Sequence, residues 1–116
     1  MEDKQLGFHD DILLSFSVDI TNLTAQVVIQ THDWVEEPEG DKRGGKVFHS
    51  RVRGITTISL DLDEHTKCFW CDLDESMVNC RDIGIIVIKD DILRVFVGMS
   101  EMAFAIKGYK IFEGPS

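Results

Sequence analysis

The chain has 116 residues, 43% of them hydrophobic and 28% charged, a size and balance that fit one soluble globular domain spanning 1–116. Acidic residues outnumber basic ones 21 to 12, leaving a formal net charge of −9. Such a chain repels phosphate, which excludes nucleic acid and anionic membrane surfaces as expected partners and favours a basic protein.

In chain order, residues 1–5 show no basic segment leading into an apolar run, so no secretory leader is expected. Ile12 to Ile20 alternates, with Ile12, Leu14, Phe16, Val18 and Ile20 on one face and Leu13, Ser15, Ser17 and Asp19 on the other. That period of two predicts a half-buried strand. Thr21-Asn22 offers a turn, and Leu23 to Thr31 resumes the alternation, so the pair predicts a β-hairpin. His32–Lys46 holds Pro38, Gly40, Gly44 and Gly45 among charges and predicts a long loop. Val47 to Gly54 and Ile55 to Asp63 predict two strands, with Gly54 as a bulge or bend between them. His65 to Arg81 is irregular, with room for one helical turn within Ser76–Asp82. Ile83 to Ile88 is an unbroken apolar run rich in β-branched residues, as in a central strand, and is too short to cross a bilayer. Ile92 to Val97, Met102 to Lys107 and Lys110 to Glu113 complete the set. No segment sustains a 3.6-residue period over three turns. The expected fold is all-β: an antiparallel β-sandwich or twisted meander with at most one short helix. Asp10-Asp11-Ile12-Leu13 recurs as Asp90-Asp91-Ile92-Leu93, which ordinary turn chemistry followed by a strand accounts for.

Charge is uneven along the chain. Residues 1–39 carry nine acids and one base, 40–58 one acid and five bases, 59–82 seven acids and two bases, and 83–116 four of each. Within the third block Asp61-Leu62-Asp63-Glu64 recurs as Asp72-Leu73-Asp74-Glu75. If the two segments pair antiparallel with Leu62 opposite Leu73, Asp61 faces Asp74 and Asp63 faces Asp72. Like charges so placed repel, a cost that a basic partner or cation would relieve. Arg51 and Arg53 are the internal residues able to neutralise them. Neither copy is followed by the glycine and later glutamate of an EF-hand loop, so calcium is not expected.

Trp34 stands beside Glu36, Glu37 and Glu39, and Trp70 stands between two acidic segments. An aromatic bordered by carboxylates suits an interface with a basic protein, because the ring supplies buried area and the charges steer encounter. The candidate contacts are Trp34, Glu36, Glu37, Glu39, Asp61, Asp63, Asp72 and Asp74.

His65, Cys68, Cys71 and Cys80 are spaced H-x2-C-x2-C-x8-C, with ligand types that zinc accepts. Only one tight cysteine pair is present, and Phe69-Trp70 fills its bracket, so the preferred reading has no cofactor. A small-ligand or zinc-binding β domain centred on these residues is the alternative. Three cysteines clustered late in the chain do not make a disulfide framework and fit a reducing cytoplasm. His9-Asp10 and His32-Asp33 are adjacent pairs, but neighbours in a strand point to opposite faces, and no nucleophile or phosphate motif accompanies them. The chain is therefore expected not to be an enzyme.

The segment Phe8-His9-Asp10-Asp11-Ile12-Leu13-Leu14-Ser15-Phe16-Ser17-Val18-Asp19, followed by a second alternating strand, resembles the start of small bacterial β-rich proteins of unknown function. Some of these resemble immunity proteins of polymorphic or contact-dependent toxin systems. Phe48 to Gly54 is a loose version of a later segment of that group. The resemblance covers about the first twenty-five residues. It implies a cytoplasmic, non-catalytic protein that blocks a toxin by binding it, and it transfers no contact residues. Taken with the excess of acidic side chains, the expected target is a basic, nuclease-like toxin whose RNA- or DNA-holding site those side chains occupy. Self-association through an edge strand at Met102–Glu113 is a further expectation.

Overall fold

The computed structural model describes residues 1–64, 69–75 and 80–115. Eight strands follow one another: β1 (Lys4–Gly7), β2 (Ile12–Asp19), β3 (Thr24–Glu36), β4 (Phe48–Leu62), β5 (Phe69–Asp72), β6 (Ile83–Lys89), β7 (Ile92–Val97) and β8 (Ser100–Pro115). All pairings are antiparallel, in the order β1-β6-β7-β8-β4-β3-β2, with β5 added to β8. The fold is all-β, and no helix among the described residues is long and apolar enough to cross a membrane.

β8 joins the two halves. Ser100–Ala105 pairs with β7, and Ile106–Pro115 pairs with β4. β5 pairs Phe69–Asp72 with Glu101–Phe104 on the edge of β8 that β4 also uses, so β4 and β5 follow one another along that edge. The sheet curls back on itself at the far side. Asp10 N donates to Ile83 O, Ile83 N to Asp11 O and Leu13 N to Arg81 O, while Ile12 bridges Asp82. The inner faces therefore meet in one core. Leu13, Val27, Ile29, Ile58, Leu60 and Leu62 come from one half, and Ile83, Ile86, Ile88, Leu93, Val95, Val97, Met102 and Phe104 from the other. The period-two residues of β3 and the apolar run of β6 thus do what their patterns imply. β2 departs from its expected faces: Leu14 is an extra residue between the pairs Leu13–Ile29 and Ser15–Val28, so Leu13 turns into the core while Leu14 and, past the strand end, Ile20 are exposed.

Several elements differ from expectation. β3 runs on through Glu36, and β4 is one strand from Phe48, so the loop is only 37–47. His32 to Glu36 pairs with Phe48 to Val52, including Asp33 opposite Arg51. Beyond Thr31 this two-stranded arm has little cover on either face, so its hydropathy does not alternate and it resembles a loop in sequence. Its register shifts between Thr31 and His32, where Arg53 is the extra residue beside Gly54, the bulge anticipated there. β1 has too few apolar residues to be seen in the sequence. Met102–Lys107 and Lys110–Glu113 are parts of one strand.

Leu62 and Leu73 do not face each other. Leu62 is fully buried, whereas Leu73 is 49% exposed just beyond β5, and Asp72 lies opposite Glu101. The expected pairing fails because both segments pair with β8 instead. The expected edge strand is also half internal: Met102 to Ala105 has a neighbour on both sides. Among the described residues, the second half of β8 is the part that presents an edge, because Tyr109, Ile111 and Glu113 turn their backbone groups away from β4. Of the expected helical turn, residues 76–79 lie outside the described residues, and Asp82 lies in an extended bridge.

Two turns use side-chain chemistry that the sequence advertises. Asp90 and Asp91, both at positive φ, close the β6–β7 hairpin. In the β2–β3 turn, the Asn22 side-chain amide and backbone N–H donate to Asp19 at 2.8 and 3.1 Å and hold its carboxyl below its ordinary pKa of 3.8. A depressed carboxyl stabilises the fold above pH 3.8, and that contribution disappears as pH falls through the lowered value. Asn22→Ala should raise the Asp19 pKa toward 3.8 in an NMR titration. At the junction of the two halves, Phe104 is fully buried with its ring 5.2 Å from Phe69. Phe104→Ala should cost about 3–5 kcal/mol in denaturant unfolding.

Candidate functional site

The chain between β1 and β2 makes a tight turn. Gly7, Phe8 and Asp10 have positive φ, and Asp11 N donates to Phe8 O. Phe8 packs against the core, which leaves His9 and Asp10 outside. His9 Nδ1 donates to Gly84 O at 2.9 Å, and its Nε2 sits 3.4 Å from Asp10 Oδ2. The adjacent pair meets after all, because it lies in a turn and not in a strand. His32 does not meet Asp33. Its backbone N–H donates to Asp11 Oδ1 at 3.0 Å, and its ring Nδ1 is 3.9 Å from the same oxygen. Asp33 instead faces Arg53 at 3.8 Å.

This turn, the start of β6, the arm and the second half of β8 enclose a cleft of about 780 Å³. Asp10, Asp11, Asp82 and Glu113 line it, against one guanidinium, that of Arg53. Arg53 is shared between Asp33 and Glu113, the latter at 4.0 Å, so it offsets only part of the acidity. Leu6, Phe8, Ile12 and Ile111 give the cleft an apolar side, and Trp34 and Ser50 line it from the arm. Trp34 is 64% exposed. By register, Trp34 and Ser50 share an arm face with Val52 and Phe48, both exposed. The cleft thus combines a negative lining with uncovered apolar surface, which suits a ligand both cationic and apolar.

The eight candidate contacts divide into two groups. Trp34, Glu36, Glu37 and Glu39 lie at the arm end. Asp61, Asp63, Asp72 and Asp74 lie at the other end of the β3–β4 ribbon and beyond. The thirteen steps along β4 from Phe48 to Asp61 separate the groups by about 40 Å, in a molecule whose long axis is 59 Å. Glu37 is partly engaged, with Oε1 2.7 Å from His49 Nδ1. At the far end, the Asp74 backbone N–H donates to the Ser100 hydroxyl oxygen at 2.8 Å. Trp70 belongs to β5, with the Arg94 guanidinium 5.5 Å from its ring centroid and Arg94 itself paired to Glu101 at 2.8 Å. Arg51 and Arg53 serve the arm and do not reach the far carboxylates.

His65 and Cys68 lie outside the described residues, while Cys71 and Cys80 are exposed free thiols. Among the described residues no three His, Cys, Asp or Glu side chains converge as a metal site. His9, Asp10, Asp11, His32, Asp82 and Glu113 are the site residues that sequence reasoning missed. The strong acid excess of residues 1–39 is a signal for Asp10 and Asp11, but Asp82 and Glu113 join them only through the fold. No family model, curated protein or solved structure matches the chain.

Asp11 carries one of the contacts that tie the arm to the body of the protein, accepting the His32 N–H at 3.0 Å. Asp11→Ala should lower stability by about 1–3 kcal/mol, and Asp11→Asn, which keeps an oxygen acceptor, should lose less. Urea midpoints of the two variants check this.

Proposed function

We propose that this protein is a non-catalytic binding domain for a basic protein and that the cleft beneath Trp34 is its binding surface. The observation that carries the reading is the cleft's lining, four carboxylates against a single shared arginine, beside an exposed tryptophan. Charge draws a cationic partner in, and Trp34 with Phe48 and Val52 supplies the area that holds it. In its most specific form the partner is a nuclease-like toxin, and this protein is its cytoplasmic immunity protein, covering the basic surface on which the toxin holds RNA or DNA. The resemblance of Phe8–Asp19 to bacterial β-rich proteins, some of them like immunity proteins, supports that form. So does the net charge of −9. Of the sequence-based contacts, Trp34 and Glu36 are the ones nearest this surface.

The test uses the product of the gene adjacent to this chain's own. Binding is measured by calorimetry at low and high salt, for the parent protein and two variants of equal charge. Asp10→Asn with Asp82→Asn neutralises the cleft, and Asp61→Asn with Asp72→Asn neutralises the far end. The proposal expects a salt-sensitive complex that the first variant weakens about ten-fold, or about 1.4 kcal/mol, and the second leaves nearly unchanged. A salt-insensitive complex, no complex, or equal loss in both variants contradicts it.

A further inference from the structure

We propose that the partner is bound by strand addition: an extended cationic segment lies in the cleft and pairs with the open edge of β3 at Trp34 and Glu36. This rests on the binding reading above and specifies the form of the partner.

The backbone supplies the first argument. The last register pair between β2 and β3 is Ile12 with Gln30. One step further, the His32 N–H on that edge is taken by the Asp11 carboxylate. Alternate residues of a strand direct their N–H and C=O groups to the same edge, so Trp34 and Glu36 direct theirs the same way as His32. Glu37 N donates to Val47 O across the other edge, consistent with that phase. No strand among the described residues pairs with β3 there. Asp11 therefore caps the line of β2 and leaves the next stretch of β3 as an unfilled template.

The surroundings decide what fills it. A guest strand continuing the line of β2 enters the cleft, where Asp10, Asp82 and Glu113 favour lysine or arginine. Its side chains alternate across the arm. One set lies beside Trp34 on the face that also carries Val52 and Phe48, and apolar residues there cover surface that is now wet. A two-stranded ribbon is marginal by itself, and a third strand is the ordinary remedy. The other open edge, at Tyr109, Ile111 and Glu113, is less inviting: Lys107 and Lys110 flank it and Pro115 ends it, the usual protections against pairing.

Labelled peptides titrated into the intact protein, read by fluorescence anisotropy, test the idea without altering its fold. The probes are a short peptide alternating lysine and valine, an oligolysine of equal charge, and two forms of the alternating peptide that are N-methylated on one or the other alternate set of amides. Strand addition expects the alternating peptide to bind more tightly than oligolysine. It also expects methylation of one set to weaken binding about ten-fold while methylation of the other changes little. Equal binding by all four peptides overturns strand addition but leaves a charge-driven cleft standing. Failure of every peptide, with the adjacent gene's product still bound in a salt-sensitive way, likewise overturns only strand addition. Failure of both peptides and protein removes the binding reading as well.

Discussion

The architecture depends on β8 forming two ladders in succession. Its first half holds β7 on one side and β5 on the other, and its second half holds β4. Without that change of partner the two groups of strands would be separate sheets, each with a bare apolar face. With it, Leu60 and Leu62 from one half share a core with Val95, Met102 and Phe104 from the other. The register shift between Asp61 and Leu62, opposite Gly108 and Ile106, falls where the change occurs. An extra residue at that point increases local twist, which is what turning one sheet over the other requires.

The arm follows from the same geometry. β3 and β4 are the longest strands after β8, yet β2 supports β3 only up to Gln30 and β8 supports β4 only from Gly54 onward. Among the described residues the remaining ribbon has no strand on either outer edge, and it holds apolar residues in water. Its side-chain ties to the rest are polar: Asp11 to His32 and Arg53 to Glu113. Such contacts orient the ribbon without covering it. Surface left uncovered next to a concentration of negative charge is the basis of the functional reading.

How much of this the sequence disclosed depended on burial. Where one face is dry and the other wet, as in Ile12–Asp19 and Thr24–Thr31, alternation located the strand and the turn between. Where a strand has a neighbour on each side and an outer face that is partly covered, as in β6 between β1 and β7, the run Ile83–Ile88 marks it as central. Where both are largely open, as in His32–Glu36 and Phe48–Val52, no apolar period exists and the ribbon reads as loop. The repeated Asp-Leu-Asp-Glu suggested a strand pair that does not form, because likeness in sequence carries no information about which edge of β8 each copy meets. Trp34 was singled out correctly as an exposed aromatic near acids. Its neighbours across the cleft were not, since Asp10, Asp82 and Glu113 are far apart in the chain and converge only when β2, β6 and β8 are in place.

The central claim is that one end of an elongated acidic molecule does the binding. Hydrogen–deuterium exchange of this protein, free and saturated with the proposed basic partner, examines that directly. The account predicts new protection over residues 8–12 and 32–36, with the Asp61–Asp63 and Asp72–Asp74 end exchanging as before. Protection confined to that opposite end, with the arm unchanged, would contradict it.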